Sequence, residues 1–134
     1  MAHFVPLEAQ LSFPADTAYL TDLGLFIRAV CHRHSELVLI ELTVTEMITN
    51  AIRHAHATAC KVTVLQTGTH YHIVVCDNGQ AFNPLLANPQ PLGQLQEGGY
   101  GLAILHTTTE TLNYVYETGW NQLTLSFPLQ VTPS

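Results

Sequence analysis

A glutamate and an asparagine four positions apart are the first residues of this chain whose types and spacing could do chemistry. Positions four apart share a face of an α-helix, so Glu46 and Asn50 would point the same way, and His54 continues the register. This polar stripe borders the apolar stripe of the same segment, where a carboxylate and an amide can face a cleft. A solvated helix face is the alternative interpretation.

A second polar cluster follows the apolar segment 73–76. Asp77 stands at the predicted end of a strand, where its carboxylate can accept a hydrogen bond from an exocyclic amine such as that of adenine. Gly79, two residues later, would let a base approach the backbone closely. A simple turn at Asp77-Asn78-Gly79 is the alternative.

The third cluster is a glycine-rich segment that opens an apolar run, Gly98-Gly99-Tyr100-Gly101-Leu102. Glycines at a helix start leave the first N–H groups open to a phosphate, and the helix dipole favours the negative charge. A single glycine-rich helix start is a weak signal. The order and spacing of all three clusters together are much more specific.

The first cluster, Glu46 and Asn50, lies in the early part of the chain, where helices are expected. We expect a first strand over 5–13, closed by Pro14, and then a helix capped by Asp16 or Thr17 that ends near His34. The apolar positions expected in that helix are Ala18, Leu25, Ala29 and Val30.

A second helix should begin after Ser35 and end near His56, carrying Glu46 and Asn50. Residues of one apolar stripe recur along it at helical spacing. They are Leu37, Ile40, Val44, Met47, Ile48, Ala51 and Ala55.

The remainder of the chain is predicted to be mostly strands. Alternation predicts one strand around 62–64 and another around 73–75, joined by a hairpin at 67–69. After a long loop over 78–98 we expect a short helix over 100–108 and a strand over 111–117. A turn at Gly119 and a last strand follow. That strand places Leu123, Leu125, Phe127 and Leu129 on one face and Thr124 and Ser126 on the other.

This element order predicts the α+β class. The expected architecture is a two-layer α/β sandwich, in which helices pack on one face of a mixed, largely antiparallel sheet. A chain of 134 residues, 47% of them hydrophobic, fits a single domain over 1–134 and excludes a disordered chain.

Charge narrows the possible ligands. The formal net charge is −6 with four basic residues, so extended nucleic-acid binding is not expected. One ATP could still be held by backbone N–H groups and Mg²⁺. The scattered cysteines Cys31, Cys60 and Cys76 are expected to be buried thiols in a cytoplasmic protein. No signal peptide and no membrane-length apolar run is evident.

Taken together, the three clusters resemble the GHKL ATPase superfamily over about residues 10–130. The E-x-x-x-N helix is similar to its N box, D-x-G to its first glycine box, and GGYGLAIL to its second, with a lid between the two glycine boxes. Within the superfamily, ELTVTEMITNAIRHAH is most similar to the anti-sigma-factor serine/threonine kinases. The resemblance implies the histidine-kinase-like ATPase fold, with ATP and Mg²⁺ as cofactors.

The resemblance also implies a role for each matching residue. Asn50 would ligate Mg²⁺ through its side-chain oxygen, and Glu46 would be the general base on a partner's serine or on water. Asp77 would bind the adenine amino group and Gly79 would permit close approach. Gly99 and Gly101 would present backbone N–H groups to the phosphates, and the other ATP-binding positions of this segment would be Gly98, Tyr100 and Leu102. His54 could be an ATP-binding residue by its position on the helix, with a capping or packing role as the alternative.

Two functions follow from this resemblance. The first is a kinase that phosphorylates an anti-sigma antagonist in a partner-switching system. The second is a nucleotide-dependent switch that binds a sigma factor or another regulator without transferring phosphate. A homodimer is compatible with both, and neither involves direct contact with nucleic acid or membrane.

Three departures from the family pattern bear on that choice. Ala81 replaces the second glycine of the first glycine box, and no Lys or Arg stands between Asp77 and Tyr100. Asn121 and Gln122 stand where the terminal strand often has a threonine. The first two departures favour the binding switch, whereas the intact Glu46 and Asn50 favour the kinase.

Two other features of the sequence could form a site. His70 and His72 alternate along a predicted strand and could share a metal, although the sequence offers no third ligand, so a hydrogen-bonded surface pair is the stronger interpretation. Trp120, beside Gly119, is expected to be a hydrophobic residue at a turn, with a partner surface as the alternative.

Overall fold

The computed structural model describes residues 7–32, 37–83 and 111–129 of the chain. A strand β1 and a short 3-10 helix precede two α-helices, and four strands follow. Their bounds are β1 Leu7–Pro14, the 3-10 helix Thr17–Tyr19, α1 Leu20–Val30, α2 Leu37–His54, β2 Ala59–Gln66, β3 His70–Asp77, β4 Thr111–Glu117 and β5 Trp120–Pro128.

The strands form one five-stranded sheet in the order β1-β2-β3-β5-β4. Every pairing among the described strands is antiparallel. The hairpin predicted at 67–69 is present, and Thr67 donates its N–H to the carbonyl of His70 at 2.9 Å. The predicted turn at Gly119 is also present. Thr118 and Gly119 both have positive φ, as a two-residue hairpin turn of type I′ requires.

The helices cover one face of this sheet, and alternate strand residues point into the core between them. The α+β sandwich predicted from the sequence is therefore confirmed. Its most deeply buried side chains are Tyr71, Phe127, Leu23, Ile27, Ile40, Ile48, Ile73, Leu125, Val44, Val62 and Val64.

The apolar stripe predicted for α2 is the stripe that packs on the sheet. All of its members from Ile40 to Ala55 are buried, and Leu37 is partly buried against the same core. The helix ends at His54, two residues earlier than expected. His56 adopts a positive φ of 56°, and Ala57 donates its N–H to the carbonyl of Ala51, which closes the last turn.

The apolar face predicted for α1 is mostly wrong: Val30 is partly buried against the core, but Ala18 and Ala29 are exposed. Leu25 is 55% exposed, whereas Leu23 and Ile27 are fully buried. Asp16 caps the preceding 3-10 helix by accepting from the N–H of Ala18, and α1 itself ends at Val30. Because apolar residues occur all round this helix, their spacing does not single out one face, and contact with α2 decides it.

Gly24 lies where α1 meets α2. A Cβ there would lie 2.6 Å from Oε1 of Glu41 on α2. That carboxylate forms a two-pronged ion pair with Arg28, at 2.8 and 2.9 Å. The ion pair raises the pKa of Arg28, through the hydrogen bond first and the charge of Glu41 second. None of the helices in the described part of the chain combines the length and the apolar character that a membrane span needs.

Candidate functional site

Asp77 ends β3 and uses one carboxylate oxygen to order its surroundings. Its Oδ1 accepts from the N–H of Gly79 at 2.9 Å and from Nδ2 of Asn121, its cross-strand neighbour, at 3.0 Å. Among the described residues, no group donates to Oδ2 of Asp77. The carboxylate is thus fixed through one oxygen and can accept from a ligand through the other.

The chain leaves β3 in close contact with the end of α2. A Cβ at position 79 would lie 2.5 Å from the carbonyl oxygen of Ala55 and 2.8 Å from its Cβ. Gln80 donates its N–H to that same carbonyl at 2.8 Å. Gly79 is therefore required by packing within the chain, a reason that the sequence analysis missed. Its expected contact with a base stays a prediction.

Asn78 joins this corner to the start of β2. Its Oδ1 accepts from the N–H groups of Thr58 and Ala59 at 2.8 and 2.9 Å, and its Nδ2 donates to the Thr58 hydroxyl. The residue before β2 and the residue after β3 are thus tied together. This role follows from contacts about 20 positions apart, which the local sequence does not reveal.

Asn121 is the polar centre of the site, and only 5% of it is exposed. Its Nδ2 donates to Asp77 and to the carbonyl of Gln80 at 2.9 Å. Its Oδ1 accepts from the N–H of Phe82 at 3.0 Å and from the hydroxyl of Tyr114. In the sequence, Asn121 stands out only as a departure from the family's threonine, and nothing marks Tyr114.

These residues surround a cavity of about 290 Å³ between α2, the end of β3 and the strands β4 and β5. Apolar side chains form most of its wall, and a few polar groups converge on it, as is typical of a small-molecule pocket. The described lining residues are Met47, Asn50, Ala51, His54, Ala55, Val75, Asp77, Gln80, Ala81, Phe82, Tyr114, Asn121 and Leu123.

The cavity brings together two of the three predicted clusters. Asn50 and His54 line it from α2, and Asp77 lines it from β3. Glu46 lies one turn before Asn50 on α2, is half-buried, and does not line the described part of the cavity. Gly79 is buried beside the cavity without lining it.

The sequence profile of the histidine kinase-like ATPase domain matches residues 13–127. The chain belongs to this family. The serine/threonine-protein kinase BtrW of Bordetella bronchiseptica is 31% identical over 129 aligned residues, which cover 87% of this chain and 89% of that protein.

Solved structures show the same fold. The RsbU and RsbW domains of Rv1364c from Mycobacterium tuberculosis align with a TM-score of 0.63 at 18% identity, covering 95% of this chain and 35% of that one. The Acinetobacter baumannii histidine kinase AdeS aligns with a TM-score of 0.54 at 16% identity, covering 90% of this chain and 68% of that one. The histidine-kinase-like ATPase architecture predicted from the sequence is therefore confirmed.

The glycine-rich cluster of this ATPase domain lies outside the described residues. That holds for the predicted positions Gly98, Gly99, Tyr100, Gly101 and Leu102, and for the helix predicted over 100–108. Ser35 and most of the predicted lid are likewise outside them. Of the lid, the structure describes only Gln80 to Asn83, and Ala81 there lines the cavity.

Local burial shapes the acid–base properties around Asp77. Burial raises the pKa of the Tyr114 hydroxyl, and the charge of Asp77 adds to the rise. Burial, followed by the same charge, raises the pKa of the Cys60 thiol to about 12. All three cysteines are buried free thiols, as predicted.

The histidine pair lies on the sheet face away from the helices. The rings of His70 and His72 stack with centroids 5.7 Å apart, and their Nδ1 atoms hydrogen bond to Thr69 and Ser126. No group of three metal-ligating side chains occurs among residues 7–32, 37–83 and 111–129. Trp120 is half-buried at the start of β5, beside a shallow hollow on the sheet.

Proposed function

We propose that this domain binds Mg·ATP in the cavity and transfers the γ-phosphate to a serine or threonine of a partner protein. The convergence of Asn50, His54 and Asp77 on one mostly apolar cavity is the observation that carries the proposal. The relative named as a serine/threonine-protein kinase supports the type of reaction, since it matches over most of both chains.

Asp77 would hold the adenine end of the nucleotide. Its Oδ1 is engaged by two donors, so Oδ2 is the oxygen that would accept from the exocyclic amine. The apolar wall formed by Met47, Val75 and Leu123 would contact the faces of the ring. An ionised carboxylate only accepts hydrogen bonds, so this end of the cavity favours a ligand edge that carries a donor.

The phosphate end would lie toward Asn50. Asn50 lines the cavity, and a neutral hard oxygen such as that of its side chain suits Mg²⁺, which takes its other ligands from phosphate and water. When bound, Mg²⁺ neutralises charge on the phosphates during transfer. We propose that the segment from Gly98 to Leu102 supplies backbone N–H groups to the phosphates, and that His54 completes the rim.

Glu46 would be the general base, one helical turn before Asn50. The partner's hydroxyl oxygen would attack the γ-phosphorus as its proton passes to the Glu46 carboxylate, and ADP would leave as the bond to the γ-phosphorus breaks. Positioning and charge neutralisation supply most of the catalysis in such a reaction.

The proposed partner is an anti-sigma antagonist, with a sigma factor or another regulator as the second partner, in a cytoplasmic switching system. A binding switch with little or no transfer is the second candidate. Ala81 and the absence of Lys or Arg between Asp77 and Tyr100 favour that candidate, since no lid cation is available to stabilise the γ-phosphate.

Incubation with γ-labelled ATP, Mg²⁺ and the antagonist protein encoded nearest to this gene separates the two functions. A kinase transfers label to a serine or threonine of the antagonist. A binding switch instead forms a nucleotide-dependent complex in which the antagonist stays unlabelled. Both functions are contradicted if the antagonist is neither labelled nor bound and the domain binds no ATP at millimolar nucleotide.

A further inference from the structure

The amide of Asn121 is held from both ends. On the Nδ2 side it meets only acceptors, Oδ1 of Asp77 and the carbonyls of Gly79 and Gln80. On the Oδ1 side it meets only donors, the N–H of Phe82 and the hydroxyl of Tyr114. Because acceptors lie on one side and donors on the other, the amide has one satisfied orientation.

Tyr114 closes this network from the edge strand β4. Its oxygen accepts from the N–H of Phe82 at 3.1 Å while its O–H donates to Asn121. Burial keeps the pKa of Tyr114 above its ordinary value, so the hydroxyl remains a donor well above neutral pH. The bonds link β3, β4 and β5 to the backbone of 80–82.

We propose that Asn121 and Tyr114 are a pair of positioning residues that aim the free oxygen of Asp77 at the exocyclic amine of a purine. This inference rests on the proposed binding of ATP. Asp77 cannot turn its carboxylate plane without losing the bond from Asn121, and Asn121 cannot turn without losing its bond from Tyr114. The pair would therefore set base selectivity without itself contacting the base amine.

This proposal predicts a difference in binding affinity between two nucleotides. A general loss of structure would weaken the binding of both equally. Purine riboside triphosphate lacks the 6-amino group and leaves Oδ2 of Asp77 without a donor. We expect the wild-type protein to bind ATP at least about tenfold more tightly, the usual worth of a hydrogen bond to a charged group.

The test measures the affinity of both nucleotides for the whole chain by calorimetry. Tyr114→Phe removes the hydroxyl and should lower the ATP preference about two- to fivefold. Asn121→Ser, which shortens the donor, should lower it about threefold or more. Tyr116→Phe is the matched control on the same strand, since Tyr116 is 47% exposed, and it should leave the preference unchanged.

Circular dichroism checks that each variant is folded, and Tyr114→Phe decides the matter if Asn121→Ser does not fold. If both affinities fall by the same factor in Tyr114→Phe, the pair is only structural and the inference is overturned. If the wild-type protein binds neither nucleotide, the proposed function itself fails. These two failures are therefore distinguishable.

Discussion

Asp77 and Asn50 define the two ends of the proposed site, and each offers a single chemically suitable atom. Oδ2 of Asp77 is the carboxylate oxygen that no described group engages, and Asn50, whose side chain carries a neutral oxygen, lines the cavity from α2. This arrangement of the two residues suits a ligand with a hydrogen-bond donor at one end and a metal-bound polyphosphate at the other.

Replacing Asn50 should uncouple nucleotide binding from magnesium. We expect the wild-type protein to bind ATP more tightly with Mg²⁺ than without it, and Asn50→Ala to bind equally in both conditions, because the protein ligand to the ion is lost. Calorimetry with and without Mg²⁺ measures this. Asn113→Ala, at an exposed asparagine of β4, is the control that should keep the full Mg²⁺ effect. Retention of that effect in Asn50→Ala would remove Asn50 from the metal site.

Replacing Glu46 should separate binding from chemistry. Glu46→Gln keeps the shape of the side chain and loses the base, so ATP affinity should stay within a few-fold of wild type. Phosphotransfer or hydrolysis should fall by roughly 10²–10⁴. Glu8→Gln, at an exposed position of β1, is the matched control. Unchanged turnover in Glu46→Gln would give Glu46 another role.

At the scale of elements, the end of α2 contacts the chain that follows β3, beside the proposed site. The helix stops at His54, and the carbonyl of Ala55 accepts from Gln80 instead of from a further helical turn. Only a residue without Cβ fits at position 79 against that carbonyl. The requirement is steric, because Gly119 is the one described glycine with a positive φ.

The same substitution, glycine to alanine, should therefore change the free energy of unfolding by different amounts at Gly79 and at Gly24. Gly79→Ala places its Cβ against backbone that cannot move without breaking the Gln80 bond, so it should destabilise the fold by roughly 2 kcal/mol or more. Gly24→Ala meets only the flexible end of Glu41 and gains helix propensity, so it should stay within about 1 kcal/mol of wild type. Urea denaturation compares them, and equal losses would contradict the packing argument.

The sequence predicted elements best where one apolar stripe was clear. The stripe of α2 and the alternation in β2, β3 and β5 gave their faces and the hairpins correctly, because each has a single period. In α1 the spacing of the apolar residues was ambiguous. The face that is buried in the structure carries Leu23 and Ile27, beside the close contact at Gly24. Asn121 could not be assigned from the sequence, since its bond to Asp77 joins residues 44 positions apart.

At the scale of the whole molecule, three cysteine thiols are buried in different parts of the fold. Cys31 follows α1, Cys60 lies on β2 and Cys76 on β3, and all are buried. Burial raises the pKa of Cys31 and of Cys60 to about 12, and it raises that of Cys76 as well. Each thiol therefore stays protonated in the folded chain at pH values where an exposed thiol ionises.

This difference should make the fold less stable in alkali. Above the pKa of a free thiol, near 8.5–9, the unfolded chain loses protons that the folded chain retains, so the free energy of unfolding falls as pH rises toward 12. Between pH 8 and pH 10, each of Cys31 and Cys60 should contribute a loss of about 1.5 kcal/mol. Urea denaturation at the two pH values measures the total. Cys31→Ala should be less stable at both values but lose about 1.5 kcal/mol less between them, whereas an equal loss would show that Cys31 ionises in the folded chain.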